Sequence, residues 1–528
     1  MAVKIILLVV FFSVMIGIGV YSRKKSTDVN GFVLGGRAVG PWLTAFAFGT
    51  SYFSAVIFVG YAGQFGWKYG ISSTWVGLGN AFIGSLLAWV ILGRRTRIMT
   101  QHIGSKTMPD YFELRYKSTP LKIAASAITF IFLIPYTASL FNGLSRLFSM
   151  AFPSIDYSVC VIVMAILTAV YVILGGYMAT AINDFIQGII MLIGISAVII
   201  AVLKVNGGLT GSLIELAKLT ATTADGRDFF GGFASFFGPQ PVWLLGVVLL
   251  TSLGTWGLPQ MVGKFYAIKD EKAVRKGTII STVFAIIVAG GCYFLGGFGR
   301  LFVTGSQIDP ATGNPVGGFD SIIPSMLQSS LSNLLIAVVL ILVLSASMST
   351  LSSLVLTSSS TITLDFIGQF AKINEKKKLI CLRVFVAFFI VVSAAIAILQ
   401  YKSSVAFIAQ LMGVSWGALA GSFLAPFLYG LFMKKVTKSA VWASFITGVG
   451  ITGIELYIMI TKTAISNPVL NYFFSTPINA GVLAMVVGLI IVPLVSLMTP
   501  KMNKEDVDEM FSCYDDKVTV DITEALGD

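Results

Sequence analysis

The stretch Gly49-Thr50-Ser51-Tyr52-Phe53-Ser54 decides the fold, because it interrupts an apolar segment of membrane-spanning length with a glycine and four hydroxyl side chains. A second interruption, Gly254-Thr255-Trp256-Gly257-Leu258-Pro259-Gln260, lies in a later apolar segment. Glycine and proline weaken a helix, and the backbone carbonyls that they free inside a bilayer need another partner. Two interrupted segments at corresponding positions therefore indicate the binding site of a transporter.

The composition around these segments is typical of a membrane protein. The 528 residues are 56% hydrophobic and only 11% charged, whereas soluble domains carry about 25% charged residues. We predict an all-α polytopic membrane protein that forms a single transmembrane domain over 1–528. The thirteen predicted spans are 3–22, 41–65, 71–93, 121–150, 156–180, 182–204, 241–263, 277–303, 333–364, 380–400, 404–433, 439–461 and 477–498.

The distribution of basic residues predicts the orientation of these spans. If the N-terminus lies outside and the spans alternate, 27 of the 36 lysines and arginines fall in inside segments. Lys264, directly after the seventh span, is counted among them. Inside loops of membrane proteins carry this excess, so we predict that the N-terminus lies outside and the C-terminus inside.

The spacing of the interrupted spans predicts two repeats. They are the second and the seventh, so spans 2–6 (41–204) and 7–11 (241–433) form two sets of five. Because five is odd, the two repeats are inverted relative to each other. An extra first helix with its inside loop (1–40) precedes them. Two further helices (439–498) and a cytoplasmic tail (499–528) follow.

Charge, histidine and cysteine content exclude several classes of function. The net charge is +12, but the basic residues lie in short loops between apolar segments, which argues against nucleic acid. One histidine and four widely spaced cysteines argue against metal sites built from histidine or cysteine and against histidine-based catalytic triads. We predict that the protein is not an enzyme. Since no ATP-binding domain is recognised, transport energy is expected from an ion gradient or from the solute itself.

The ninth span carries a row of hydroxyls. Ser349, Ser352 and Ser353 share one helical face. If this face lies opposite freed backbone carbonyls, the hydroxyls and carbonyls together supply the oxygens that a hard cation needs. Close packing between helices is the alternative use of such small residues. Asp184 in span 6 is costly in a membrane and is interpreted as functional, with an interfacial helix cap as the alternative. Glu455 in span 12 is interpreted as structural or accessory.

Five motifs occur in a fixed order along the chain. They are Phe32-Val33-Leu34-Gly35-Gly36-Arg37, Met108-Pro109-Asp110-Tyr111-Phe112-Glu113-Leu114-Arg115-Tyr116, Gly175-Gly176 with Asp184 and Gln187, Met348-Ser349-Thr350, and Gly430-Leu431-Phe432-Met433-Lys434-Lys435-Val436-Thr437. In this order they resemble the sodium:solute symporter family over roughly residues 5–440, and its proline and related permease branch more than its sugar branch. The resemblance implies a LeuT-type inverted-repeat core.

The resemblance also implies which residues bind sodium and the solute. The first sodium ion would be held by the carbonyls of Thr50, Phe53 and Ala346 and the hydroxyls of Ser349 and Thr350. A second ion, which some members bind, maps to Asp184, Ser349, Ser352 and Ser353. At the two positions of span 2 where proline carriers have an aspartate and a tryptophan, this chain has Tyr52 and Val56. The candidate solute pocket comprises Tyr52, Tyr136, Thr251, Thr255, Trp256 and Gln410.

We therefore predict a sodium-coupled symporter of the plasma membrane that imports a small organic solute by alternating access. An amino acid or a small organic acid is the expected solute, carried with one or two sodium ions. The alternatives are a sugar- or proline-specific sodium symporter, a sodium-independent or proton-coupled transporter, a membrane sensor and a channel. The expected partners are the solute and the lipid bilayer, with neither nucleic acid nor an obligate protein partner.

Overall fold

The computed structural model describes residues 2–371, 374–403 and 408–515. Residues 404–407 of the predicted span 404–433 and residues 516–528 of the predicted tail lie outside the described residues. The described chain is mostly α-helical and contains one two-stranded sheet.

The secondary structure comprises long helices joined by short ones. The α-helices are Ala2–Ser22, Val29–Leu34, Pro41–Tyr52, Ala62–Tyr69, Thr74–Gly79, Arg94–His102, Met108–Tyr116, Thr119–Ala151, Tyr157–Lys204, Gly208–Ala217, Pro241–Leu253, Pro259–Ala267, Glu271–Ala285, Gly291–Gly296, Ile322–Ser330, Asn333–Ser360, Gly368–Phe370, Glu375–Ser403, Ile408–Phe432, Lys438–Thr461, Pro468–Phe474, Pro477–Met498 and Lys504–Ser512. The π-helical segments are Val56–Tyr61, Asn80–Leu87, Trp89–Gly93, Ile286–Gly290 and Thr361–Ile367. The 3-10 helices are Arg23–Lys25, Gly35–Arg37, Gly70–Ser73, Gly232–Ala234, Gly254–Gly257, Gly299–Leu301, Gly305–Gln307 and Phe319–Ser321.

Membrane-spanning helices dominate the fold. Ten described helices are long and apolar enough to cross a bilayer, or up to eleven if a bent pair is counted as one span. That pair joins Pro241–Gly257 to Pro259–Ala267 at 47°. Large apolar side chains such as Ile5, Ile162 and Val391 are exposed on the outer faces of the helices. Such surfaces are stable in lipid and costly in water, so the chain is a multi-pass membrane protein.

The first interrupted span is broken where its polar cluster predicts. Pro41–Tyr52 ends at Phe53, whose backbone is extended at φ −108° and ψ 132°. The helix resumes in the π-helical segment Val56–Tyr61 and continues through Ala62–Tyr69. We call residues 41–69 the first broken helix.

The second broken helix, residues 241–267, contains the bend of 47°. Its first half ends in the 3-10 turn Gly254–Gly257, Leu258 is extended, and Pro259 begins the second half. Proline suits a first helical position because the backbone N–H that it lacks would be unpaired there. The helix continues to Ala267, so Lys264 is buried inside it. The prediction that Lys264 lies in an inside loop is therefore wrong.

The longest helix, Tyr157–Lys204, turns sharply at Gly176. The backbone there has φ 54° and ψ −146°, and a Cβ atom would lie 2.8 Å from the carbonyl oxygen of Phe32. Only glycine adopts this geometry readily. The predicted spans 156–180 and 182–204 correspond to the two halves, but the boundary between 180 and 182 is wrong because the chain bends earlier.

The helix Asn333–Ser360 lies at the centre of the bundle. It packs against Tyr157–Lys204, Thr119–Ala151 and the first half of the first broken helix. The apolar stretch of Asn333–Phe370 is 78% buried, whereas that of the peripheral Glu375–Tyr401 is 33% buried. We call Asn333–Ser360 the central helix. Its hydroxyl row therefore faces protein rather than lipid.

The two ends of the bundle carry different structures. The antiparallel strands Thr220–Thr222 and Asp228–Phe230 form a hairpin at one end. The helix Lys504–Ser512 covers the other end, where the ammonium of Lys434 lies 2.7 Å from Asp508 and holds the pKa of that carboxyl below its usual value. We call these the hairpin end and the tail end.

Candidate functional site

The hydroxyl of Thr350 stands among three backbone carbonyls at the first break. Its Oγ1 lies 3.4 Å from the oxygen of Thr50, 3.1 Å from that of Phe53 and 3.2 Å from that of Ala346. Ser349, the neighbouring residue on the central helix, is fully buried, and no hydrogen bond satisfies its hydroxyl oxygen within the described chain. The structure thus brings Thr350 together with the three carbonyls predicted for the first sodium ion, and Ser349 is adjacent to Thr350 on the same helix.

The chemistry of this cluster favours a cation. One hydroxyl has a single proton and can donate to only one of the three carbonyls around it. Phe53 leaves the helical conformation, so its carbonyl is free of the usual helical partner. A small cation can be coordinated by several carbonyls and hydroxyls at once, whereas a proton on Thr350 cannot. We call Thr50, Phe53, Ala346, Ser349 and Thr350 the carbonyl cluster.

The second predicted sodium set is present as a neighbouring cluster, but it contains a lysine. Asp184 is fully buried and faces Ser349 and Lys264. The ammonium of Lys264 donates a hydrogen bond of 2.9 Å to Ser353 Oγ and lies 3.6 Å from Asp184 Oδ2. The hydroxyl of Ser352 donates to the carbonyl of Ser349 at 2.9 Å. We call Asp184, Lys264, Ser349, Ser352 and Ser353 the lysine cluster.

Sequence reasoning missed Lys264, although the sequence contains a usable signal. Pro259 lies after the glycines of the break, and proline commonly occupies the first turn of a helix. Reading it as a helix start would have extended span 7 beyond 263 and placed Lys264 five residues into a membrane helix. An ionisable residue at such a position is functional by default.

The predicted solute-pocket residues of the broken helices lie close together. The phenol of Tyr52 donates a hydrogen bond to the carbonyl of Thr251, joining the first halves of the two broken helices. The hydroxyl of Thr255 donates to the carbonyl of Ser252 at 2.8 Å. The indole of Trp256 donates to the carbonyl of Ile83 at 3.0 Å.

Two residues outside the predicted set complete this region. The ring of Trp416 lies 5.9 Å from that of Tyr136 and 6.5 Å from that of Tyr52, both edge to face. Asn80 Oδ1 lies 2.9 Å from the hydroxyl of Thr251. An amide in the apolar segment 71–93 is a signal that sequence reasoning could have used for Asn80. We call Tyr52, Asn80, Tyr136, Thr251 and Trp416 the aromatic cluster.

Gln410 lies near the start of the helix Ile408–Phe432. It lines a cavity of about 670 Å³ at the hairpin end, together with Gln64 and Val247. A second cavity, of about 50 Å³, lies toward the tail end and is lined by Lys264 and Ser353. The larger of these two cavities therefore lies at the hairpin end.

The sequence of this chain is similar to those of known proteins. Residues 32–448 match the model of the sodium:solute symporter family. The chain is 30% identical over 458 residues to the sodium/proline symporters of Staphylococcus aureus strains JH9 and NCTC 8325, covering 84% of this chain and 84% of each relative.

The fold is shared with solved transporter structures. A Na⁺-coupled sialic acid symporter in a substrate-bound, outward-open state superposes with a TM-score of 0.71 at 15% identity, covering 95% of this chain and 99% of that one. Mhp1 in its inward-facing conformation gives a TM-score of 0.50 at 12% identity, covering 89% and 94%.

Proposed function

The chain belongs to the sodium:solute symporter family, and from this premise we propose that it imports a small amino acid with sodium bound at the carbonyl cluster. It is a sodium-coupled importer of a small solute, located in the plasma membrane as a multi-pass protein. The sodium ion is carried with the solute, so it is a substrate of the cycle rather than a resident cofactor. The positions of the ion and of the solute are the new part of the proposal.

The observation that carries the sodium site is the hydroxyl of Thr350 within 3.4 Å of three carbonyls. All the oxygens of the carbonyl cluster are uncharged, which suits a monovalent cation that must also be released. The cluster joins the first broken helix to the central helix. Binding of sodium therefore stabilises one relative position of these two elements, which is how an ion biases alternating access.

The aromatic cluster supports a small solute with an apolar part. Tyr52, Tyr136 and Trp416 offer ring faces and edges, while Asn80 and Thr251 offer polar atoms. The S. aureus relatives are sodium/proline symporters, which favours an amino acid over a sugar. Tyr52 and Val56 replace the aspartate and tryptophan expected of a proline carrier, so other small amino acids belong in the test alongside proline.

We propose thirteen spans with the N-terminus outside, arranged as two inverted repeats of five. Two helical stretches support the higher number, because 47 and 48 residues rise about 70 Å, roughly twice a bilayer core. Each contains a glycine at positive φ, Gly70 in the first and Gly176 in the second. In this topology the hairpin end is outside, so the large cavity faces outward.

The repeat boundaries follow from this topology. Repeat one covers 41–204 and repeat two covers 241–433. Residues 1–40 and 439–498 add helices around the core, and the tail begins at 499. The aromatic cluster then draws on both repeats, with Tyr52, Asn80 and Tyr136 from the first and Thr251 and Trp416 from the second, as expected for a site between inverted repeats.

Thermal stability of the purified full-length protein tests this proposal across a panel of amino acids, organic acids and sugars. A ligand that binds only the folded state raises stability with its occupancy. We expect one small amino acid to raise the melting temperature in sodium chloride and to have little effect in potassium chloride. In the Thr350→Ala variant, the same amino acid should no longer raise the melting temperature, and sodium chloride and potassium chloride should give the same result. Equal solute shifts in both salts would contradict sodium binding at this site.

A further inference from the structure

Lys264 is a buried cation for which the family likeness gives no role. It lies in the second half of the second broken helix, and its side chain is 4% exposed. Its ammonium touches one residue from each of two other elements, Ser353 on the central helix and Asp184 on the long helix Tyr157–Lys204. The ring of Tyr177 lies 5.4 Å from the same nitrogen.

The ammonium contacts two of the four residues predicted to hold a second sodium ion, Asp184 and Ser353. Asp184 supplies the only carboxylate of the lysine cluster, and Lys264 already lies 3.6 Å from it. Ser353 accepts the hydrogen bond of Lys264, and Ser352 donates to the backbone of its own helix. A sodium ion at the same place would set two positive charges against one carboxylate in a buried region, where like charges repel strongly.

We propose that the ammonium of Lys264 takes the place of a second sodium ion, so that this transporter binds one sodium ion, at the carbonyl cluster. The inference rests on the proposed function, since it assumes that the carbonyl cluster is the sodium site. The ammonium is a positive charge that is covalently part of the second broken helix, and it stands where a second sodium ion would otherwise bind and be released. The lysine cluster then joins three elements by charge and hydrogen bonds without taking up an ion.

The position of the small cavity agrees with this assignment. Lys264 and Ser353 both line the 50 Å³ cavity toward the tail end. The ammonium therefore stands where an ion leaving the lysine cluster toward that end would pass. The carbonyl cluster reaches the lysine cluster through Ser349, which belongs to both, and through Ser51, whose Oγ lies 3.1 Å from Ser353 Oγ.

The test counts radioactive sodium ions bound at saturation to the purified full-length protein, with potassium chloride as the reference salt. We expect the wild-type protein to bind one ion per chain. Lys264→Ala removes the ammonium and leaves Asp184 and the serines free, so it should bind two. The double variant Lys264→Ala with Asp184→Asn, which removes the carboxylate as well, should return to one.

A further variant separates the two sites. Thr350→Ala should reduce wild-type binding from one ion to none and reduce binding by Lys264→Ala from two ions to one. A wild-type count of two would overturn the role of Lys264 while leaving sodium binding at the carbonyl cluster intact. A wild-type count of zero would overturn the proposed sodium site itself. A count of one in both the wild-type protein and folded Lys264→Ala would also overturn the role of Lys264.

Discussion

Ser51 on the first broken helix and Ser353 on the central helix lie with their Oγ atoms 3.1 Å apart. Ser353 also accepts the hydrogen bond of Lys264 from the second broken helix. One serine of the central helix therefore contacts both helices whose breaks form the site. A movement of either broken helix changes the surroundings of the other through this residue.

Removing the hydroxyls of Ser349 and Thr350 together is expected to abolish sodium stimulation of uptake. A hydrogen bond to a charged group contributes about 1.5–3 kcal/mol, so losing one oxygen ligand should weaken sodium binding by roughly tenfold or more. Uptake into proteoliposomes over a range of sodium concentrations measures this change. Ser359→Ala is the matched control, because that hydroxyl donates to Leu356 on its own helix. Unchanged sodium stimulation in the double variant would exclude the carbonyl cluster.

Tyr52→Phe is expected to lower the stability of the folded protein. The phenol of Tyr52 donates a buried hydrogen bond to the carbonyl of Thr251, and the loss of such a bond costs about 0.5–1.5 kcal/mol. The melting temperature of the purified protein measures the loss. Tyr457→Phe removes a hydroxyl from a residue that is 65% exposed, so it should have little effect. Equal melting temperatures for all three proteins would contradict the role of this bond.

Gly66→Ala is expected to destabilise the protein by forcing two helices apart. A Cβ atom at Gly66 would lie 1.9 Å from the carbonyl oxygen of Gly296, and overpacking of this kind costs about 1–3 kcal/mol. Gly290→Ala is the control, since its Cβ would meet nothing within 4 Å. That change should be neutral or stabilising by up to about 1 kcal/mol, because alanine favours helix. Thermal unfolding of the two variants distinguishes them, and a lower melting temperature for Gly290→Ala would contradict this packing.

Lys122→Ala is expected to destabilise the tail end strongly. The ammonium of Lys122 donates to Asp110 at 2.8 Å and to Glu113 at 2.7 Å, and its side chain is only 9% exposed. Removing one partner of a buried pair costs about 3–5 kcal/mol. Lys218→Ala breaks an exposed pair and should cost about 1 kcal/mol or less. A similar loss of melting temperature in both variants would contradict the prediction.

The same ion pairs predict a pH dependence. Burial alone would raise the pKa of Glu113, but hydrogen bonds from Lys122 and Thr119 outweigh it and hold that pKa below its usual value. A carboxyl with a lowered pKa in the folded state contributes stability at neutral pH that is lost as the pH falls through that value. The melting temperature of the wild-type protein should therefore fall in acid more steeply than that of Lys122→Ala. Parallel pH profiles would exclude this contribution of Glu113.

Local chemistry was enough to predict the two breaks. Glycine and hydroxyl residues at 49–54, and glycines followed by Pro259, mark places where a helix loses internal hydrogen bonds. The structure interrupts the helix at both. The hydroxyl row of the central helix was also predictable, because three serines at helical spacing share one face whatever they contact.

Contacts between distant segments were not predictable in the same way. Asn80 and Trp416 join the aromatic cluster through the packing of helices that are far apart in sequence, and a single sequence gives no measure of such packing. Lys264 was misplaced because a basic residue beyond an apolar segment satisfies the positive-inside rule. Burying that lysine lowers the inside count only from 27 to 26 of 36 basic residues, so the asymmetry does not reveal the error. Gln410 lines the cavity at the hairpin end, and its place in the solute pocket stays a prediction.

The fixed ammonium of Lys264 also limits how far the solute can be concentrated. A charge attached to the protein returns with it at the end of each cycle, whereas a sodium ion is delivered across the membrane. With one ion and a neutral solute, a membrane potential of 100 mV contributes about 2.3 kcal/mol, which supports roughly fifty-fold accumulation. A second transported ion would square that ratio. With Lys264 in place of a second sodium ion, the transporter reaches a lower ratio of inside to outside solute concentration. It also moves one sodium ion fewer for each solute molecule.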